Sequence, residues 1–155
     1  MTDLVVVYDA CVLYPAALRD FLMQLALADI YQAKWTNDIH EEWIRNVLKQ
    51  RVDILRAQLD SVKEMMNECA SDALIFDYES LIDSLVLPDK NDRHVLAAAI
   101  RANVSVIVTY NLKDFPKKIR NQYGIEAQYP DEFILHLFDL SSETVCLAIH
   151  QWNQT

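Results

Sequence analysis

Glycine is almost missing: Gly124 is the single one in 155 residues. Glycine supplies positive φ and lets a backbone approach a phosphate closely. Its scarcity therefore excludes glycine-rich phosphate loops, dinucleotide fingerprints and folds built on many tight hairpins. Cysteine is thin as well. Cys11, Cys69 and Cys146 are an odd, scattered set with no Cys–X–X–Cys pair, which reads as reduced and cytoplasmic rather than as a disulfide framework. His40, His94, His136 and His150 show no paired zinc spacing. Apolar runs such as Leu4 to Tyr8 or Val95 to Ile100 are far too short to span a membrane, and the first residues lack the charged-then-apolar build of a secretion signal, so no membrane partner is expected. Positive charge is also scarce. A net charge of -9 does not suit a protein that coats nucleic acid through a general positive field. The excess acid is either solvated surface or a cation site, where a divalent metal would reverse the local sign and admit a polyanion.

What is present is apolar: 52% of the chain, enough to bury a core without disulfides or a structural metal. Leu4 to Tyr8 and Val104 to Thr109 are valine-rich runs without alternation, the pattern of strands covered on both faces in a parallel sheet. Helical spacing runs from Tyr14 to Ile30, from Ile39 to Leu48 behind the capping residues Thr36-Asn37-Asp38, and from Val52 to Cys69. Ala33 to Trp35 reads as a very short strand, and segment 70–87 as a short helix with a loop. Pro88 to Asp92 starts a further helix over His94 to Ile100. Ile125 to Gln128 reads as a last strand, with helices from about residue 130 onward. Strands and helices alternate without hairpins, and no repeat or linker interrupts them. The expectation is one domain over residues 1–155, a three-layer α/β/α sandwich around a central, mainly parallel sheet.

Ligands gather at the carboxyl ends of such strands. Asp9 ends the first strand, and Thr109-Tyr110-Asn111-Leu112-Lys113-Asp114 follows the second. Asp92 opens the helix that feeds the second strand, so its helix brings it to the same pole. Glu42, on an earlier helix, need only face that way. Each acid has an ordinary reading alone: Asp92 as a first-turn residue, Asp9 and Asp114 as turn residues, Glu42 as solvated surface. Together they suit phosphodiester hydrolysis, which needs a nucleophilic hydroxide and relief of extra negative charge; magnesium or manganese on oxygen ligands supplies both. Asp89 suits a helix cap. His94 reads as a partly buried helix histidine and Cys11 as small core packing.

Three stretches carry a family resemblance. Val5-Val6-Val7-Tyr8-Asp9-Ala10-Cys11-Val12-Leu13 resembles the opening strand-and-Asp motif of PIN domains. Thr36 to Leu48, with Glu42 followed by Arg45, resembles their acidic second-helix segment. Pro88 to Ala99, followed by Val106 to Pro116, is similar to the paired Asp-helix and Thr-X-Asn-X-X-Asp-Phe elements of bacterial PIN proteins, many of them VapC-like toxin ribonucleases. The resemblance runs from residue 4 to about 134. It implies that Asp9, Asp92 and Asp114 bind magnesium or manganese directly or through water, that Glu42 completes an acidic quartet, and that Thr109 and Asn111 orient a metal water or a carboxylate. It also implies endonucleolytic cleavage of RNA and an antitoxin partner. Glu41 leaves the second-helix register open by one residue; Glu42 is preferred because Ile39 and Trp43 belong to the buried stripe.

An acidic chain that binds RNA needs positive charge near its site. Arg45, Lys49 and Arg51 follow Glu42, and Lys113, Lys117, Lys118 and Arg120 surround and follow Asp114. Most of the apolar residues between Phe133 and Trp152 are expected to close the core, the rest being available to a homodimer or an antitoxin. Two other readings stand beside the nuclease: a phosphotransfer domain with Asp9 as nucleophile, and a non-catalytic PIN-like module that binds RNA or protein.

Overall fold

The computed structural model describes residues 4–154. Four strands among them form one all-parallel sheet in the order β2-β1-β3-β4, and helices complete the α/β/α sandwich. β1 (Val5–Tyr8) lies between β2 (Gln32–Lys34) and β3 (Val106–Val108), and β4 (Glu126–Gln128) lies beyond β3. Val6, Val7, Tyr8, Ile107 and Val108 have no exposed surface, which is why these runs are apolar at every position rather than at every second one. From β1 the chain goes first to β2 on one side and only later to β3 on the other. The order reverses between β1 and β3, and the crevice beyond the carboxyl ends at such a reversal is the natural ligand position of an open parallel sheet.

The helix expected from Tyr14 to Ile30 is α2 (Ala16–Leu27), shorter at both ends, and a separate short helix, α1 (Ala10–Leu13), precedes it. Pro15 stands before α2 at φ -71 and ψ 122, extended, and cannot donate to a preceding turn. α3 (Asn37–Gln50) starts where expected, with the Thr36 hydroxyl accepting from Ile39 N at 3.0 Å. α4 (Arg56–Cys69) begins later than Val52, because Gln58 reaches back to cap Leu55 N at 2.8 Å. α5 (Glu79–Ile82), α6 (Arg93–Arg101), α7 (Lys117–Arg120), α8 (Pro130–Leu140) and α9 (Ser142–Asn153) follow. The shortage of glycine is met by other residues: Asp29, Asp77 and Asn103 take φ of 64, 62 and 55 beside Gly124 at 67. Asp and Asn tolerate the left-handed region best after glycine, and Asp29 and Asn103 end α2 and α6 in this way.

The C-terminal apolar residues divide differently from the expectation. Phe133, Leu137 and Val145 are buried, whereas Leu135, Phe138, Leu140, Leu147 and Ile149 are exposed. α8 and α9 pack on each other and α9 packs on α2, so each helix gives one stripe to the core and leaves the opposite one outside. No helix among the described residues is long and apolar enough to cross a membrane.

Candidate active site

The ends of β1 and β3 are joined by side chains. Asp9 caps α1, its Oδ1 accepting from Ala10 N at 2.8 Å. Its Oδ2 accepts the Thr109 hydroxyl at 2.8 Å, and Thr109 Oγ1 accepts from Asn111 N at 3.0 Å. Cys11 Sγ sits 3.6 Å from Asp9 Oδ2 and 3.5 Å from Thr109 Oγ1, and accepts from Tyr110 N at 3.3 Å. Cys11 is thus a partner of the Asp9–Thr109 pair and more than core packing. Burial, with the neighbouring Asp9 charge, pushes its thiol up to about 12, so it remains a neutral thiol rather than a nucleophile. Asp9 itself is 2% exposed. Burial raises its carboxyl above the ordinary value, the Thr109 bond opposes the rise, and the charge of Glu42 adds to it.

Replacing Thr109 by Val keeps the shape and removes the hydroxyl. Asp9 Oδ2 then keeps only the weak Cys11 thiol as donor and Asn111 N loses its acceptor, at an expected cost of about 1–2 kcal/mol in stability. Chemical denaturation checks this; an unchanged midpoint would mean that the hydroxyl bond does not stabilise the pole.

Asp92 ends the single turn Lys90–Asp92 that leads into α6, and Asp89 caps that turn by accepting from Asn91 N at 2.9 Å. α6 feeds β3 from the opposite direction, so its N-terminus lies at the strands' carboxyl ends. Burial first, then the charge of Asp9 and the nearby Asp114, push the Asp92 carboxyl up to about 7. Its Oδ2 is buried with no hydrogen-bond partner. Asp114 lies in the turn Leu112–Asp114 after β3. On α3, Glu42 Oε1 meets His94 Nε2 at 3.1 Å. Burial opposes charge on His94, but the bond and charge of Glu42, with Asp38 and Asp9 beyond, outweigh it and raise the imidazole. Glu41 pairs outward with Arg56, at 2.9 Å between Oε1 and Nη1. The glutamate joined to the α6 wall is therefore Glu42. Sequence reasoning missed the part of His94, because its partner lies 52 residues away.

These groups meet around a cleft of about 570 Å³. Glu42, Asp92, Asn111, Asp114 and Arg45 line it, together with Glu41, Asp89, His94, Lys49 and Lys90. Asp9 and Thr109 are buried and do not line it, but Asp9 lies near enough to raise Asp92. Lys113, Lys117 and Lys118 are exposed and lie outside the lining. Two other basic residues are engaged elsewhere: Arg120 donates to the Phe115 and Ile125 carbonyls at 2.6 and 3.1 Å, and Arg51 pairs with Asp53 at 2.9 Å.

Whether a cation fits can be judged from the donors. All are hard oxygens, one of them a buried carboxylate oxygen without a partner, and the carboxylates raise one another's affinity for positive charge. Among the described residues, no three His, Cys, Asp or Glu side chains converge closely enough to hold an ion by themselves. Oxygen donors of this kind suit a hard divalent cation that keeps waters in its shell.

Sheet order, switch-point crevice and acidic pole define a PIN domain: residues 5–113 match that family's model, and the chain belongs to the family. Over 77 residues it is 48% identical to the Mycobacterium tuberculosis protein named "Putative ribonuclease VapC50". The match covers 50% of this chain and 45% of that protein, so less than half of the relative's length is represented.

Proposed function

We propose that the cleft is a magnesium or manganese site, and that the protein is an endoribonuclease that hydrolyses RNA phosphodiester bonds, acting in the cytoplasm as the toxin of a toxin–antitoxin pair. The observation that carries the reading is Asp92: a carboxylate held in a buried position against Asp9 and Asp114, with one oxygen unpartnered. Scaffolding does not need such an arrangement, whereas a cation relieves it. The family and the relative's printed name support the nuclease over other uses of the site.

Asp92 and Asp114, with Asp9 behind them, would hold the cation directly or through water. A bound divalent ion supplies an acidified water and neutralises charge on the phosphate. Thr109 keeps the Asp9 carboxylate turned toward the pole, and Asn111, tied to Thr109, orients a water or a phosphate oxygen. Glu42 is fixed by His94 at the cleft edge, where it can accept a proton. Arg45, within the cleft, and Lys113, Lys117 and Lys118, further out, take phosphates on either side of the scissile bond. Phosphotransfer through Asp9 is disfavoured by geometry, because both its oxygens already accept hydrogen bonds and the residue is nearly enclosed. The exposed Leu135, Phe138, Leu140, Leu147 and Ile149 are the surface we assign to the antitoxin.

Incubating the protein with labelled single-stranded RNA should give internal cuts with magnesium or manganese and none with chelator. Intact RNA, with calorimetry also showing no manganese binding, would leave the non-catalytic module as the reading. Replacing Lys117 and Lys118 together by Ala should weaken binding evenly across sequences and reduce the slope of log affinity against log salt by about 0.7 per lost phosphate contact. An unchanged slope would remove both from the binding surface.

A further inference from the structure

A second pocket of about 300 Å³ opens beside the acidic cleft, lined by Cys11, Tyr14, Asn46, Lys49 and Gln50. It shares Asn46 and Lys49 with the cleft, so the two lie side by side along α3. Their chemistry differs sharply. The cleft is walled by carboxylates, whereas the side pocket has none: its groups are one aromatic ring, two amides, one ammonium and a thiol. Resting on the nuclease reading, the geometry points to this pocket as a nucleobase subsite, which holds the nucleotide next to the scissile phosphate of a single-stranded RNA.

Four of the five lining residues have a fitting part. On α3, Asn46 lies four residues after Glu42, and Lys49 and Gln50 lie three and four residues after Asn46, so all of them border one face. From Glu42 to Gln50 the helix rises about 12 Å, so this face leads from the acidic pole into the pocket. Lys49 stands at the junction, where a phosphate passing from one compartment to the other would lie. Asn46 and Gln50 carry paired donor and acceptor groups that match a base edge. Tyr14 offers the ring on which a base can stack.

Tyr14 is also held in place. Its carbonyl accepts from Arg19 Nη1 at 3.3 Å, and the preceding Leu13 carbonyl accepts from the same atom at 2.7 Å. Arg19 is 7% exposed, and its guanidinium lies 4.4 Å from the centre of the Trp43 ring. A buried arginine thus fixes the backbone beneath Tyr14 and closes the carboxyl end of α1. The ring is half-buried and its hydroxyl makes no hydrogen bond among the described residues. An aromatic on a fixed backbone, packed on the core and bordering the pocket beside amides and an ammonium, is what single-strand binding surfaces combine.

The test uses a short RNA with one internal cut, and the same RNA carrying an abasic ribose at either position flanking that cut. The wild-type protein should lose about tenfold in kcat/KM, mostly through KM, on one of the abasic substrates. Tyr14→Ala should lose a similar factor on the intact RNA and nothing more on that abasic RNA, because the same contact is already gone. Tyr14→Phe should keep the wild-type value, and Gln50→Ala, on an exposed position that does not threaten folding, should lose discrimination among bases there. Losses of variant and abasic substrate that multiply, or neither having an effect, would overturn the subsite. If the wild-type protein cuts no RNA, equilibrium binding of the same RNAs to wild type and Tyr14→Ala decides the subsite by the same non-additivity; if it also binds no manganese, the nuclease reading has failed.

Discussion

Asp92→Asn should give a protein that is more stable without metal and inactive with it. In the folded chain the Asp92 carboxyl is pushed from 3.8 up to about 7 by burial and by its acidic neighbours. A raised carboxyl favours the folded state below the unfolded value, near 3.8, and that contribution is lost as pH rises through about 7. At pH 8 the metal-free protein therefore carries the full repulsion. Asparagine keeps the shape and removes the charge. After allowance for solvent screening in an open cleft, the gain is about 1–2 kcal/mol, or a melting point higher by roughly 3–6 °C. At pH 4 the advantage should vanish. On the proposed mechanism the same change removes a metal ligand and a charge that the reaction uses, so cleavage should fall on the order of 10²- to 10³-fold or more. Manganese should raise the melting point of the wild type and leave that of the variant nearly unmoved. A variant less stable than the wild type at pH 8 in chelator would show that Asp92 is not held against repulsion.

Asn67→Leu should be among the most destabilising single changes outside the apolar core. Asn67 Oδ1 accepts from Trp35 Nε1 at 2.7 Å and from His40 Nε2 at 3.0 Å, while Trp43 Nε1 donates to His40 Nδ1 at 3.0 Å. Trp35, His40 and Trp43 are fully buried. The Trp43 bond leaves His40 Nδ1 as acceptor, so its proton is on Nε2 and the ring is neutral. Leucine would strand two buried N–H groups, at about 2–4 kcal/mol. Burial lowers the His40 imidazole to about 4 from an ordinary 6.5, with Asn67 opposing and Lys63 adding. Here the sign is the reverse of that for Asp92. The unfolded histidine takes up a proton first, so stability is full above 6.5 and falls as pH drops toward 4, by about 3 kcal/mol at most. In the wild type the Asp92 contribution rises over nearly the same window and masks part of the fall. Melting curves of Asp92→Asn should therefore show the acid loss more plainly than those of the wild type. A flat profile between pH 6.5 and 4 in that variant would contradict the His40 network.

The sheet was legible because its central strands are buried on both faces, and burial on both faces writes itself as unbroken valine and isoleucine. The acidic pole was legible because strand ends and helix starts have fixed places in a parallel sheet: Asp9, Thr109 and Asp92 follow from local punctuation. What escaped depends on partners distant in sequence. Glu42 with His94, Cys11 with Thr109, and Arg19 beneath Tyr14 and over Trp43 bring together residues whose meeting no local pattern marks. Composition also misplaces single charges and apolar residues. Arg120 and Arg51 resemble phosphate ligands in a run of basic residues, yet one caps carbonyls and the other pairs with Asp53. Leu135 and Leu147 look like core in an apolar segment, yet they lie on the outer stripes of α8 and α9.

The measurement that bears most directly on the acidic cleft is RNA cleavage by wild type and Asp92→Asn side by side, in chelator and after manganese or magnesium is restored. Cuts by the wild type only when the cation is restored, and a rate at least about 10²-fold lower from the folded variant, are the expected result. Cleavage that persists in chelator, or that survives intact in Asp92→Asn, would contradict it.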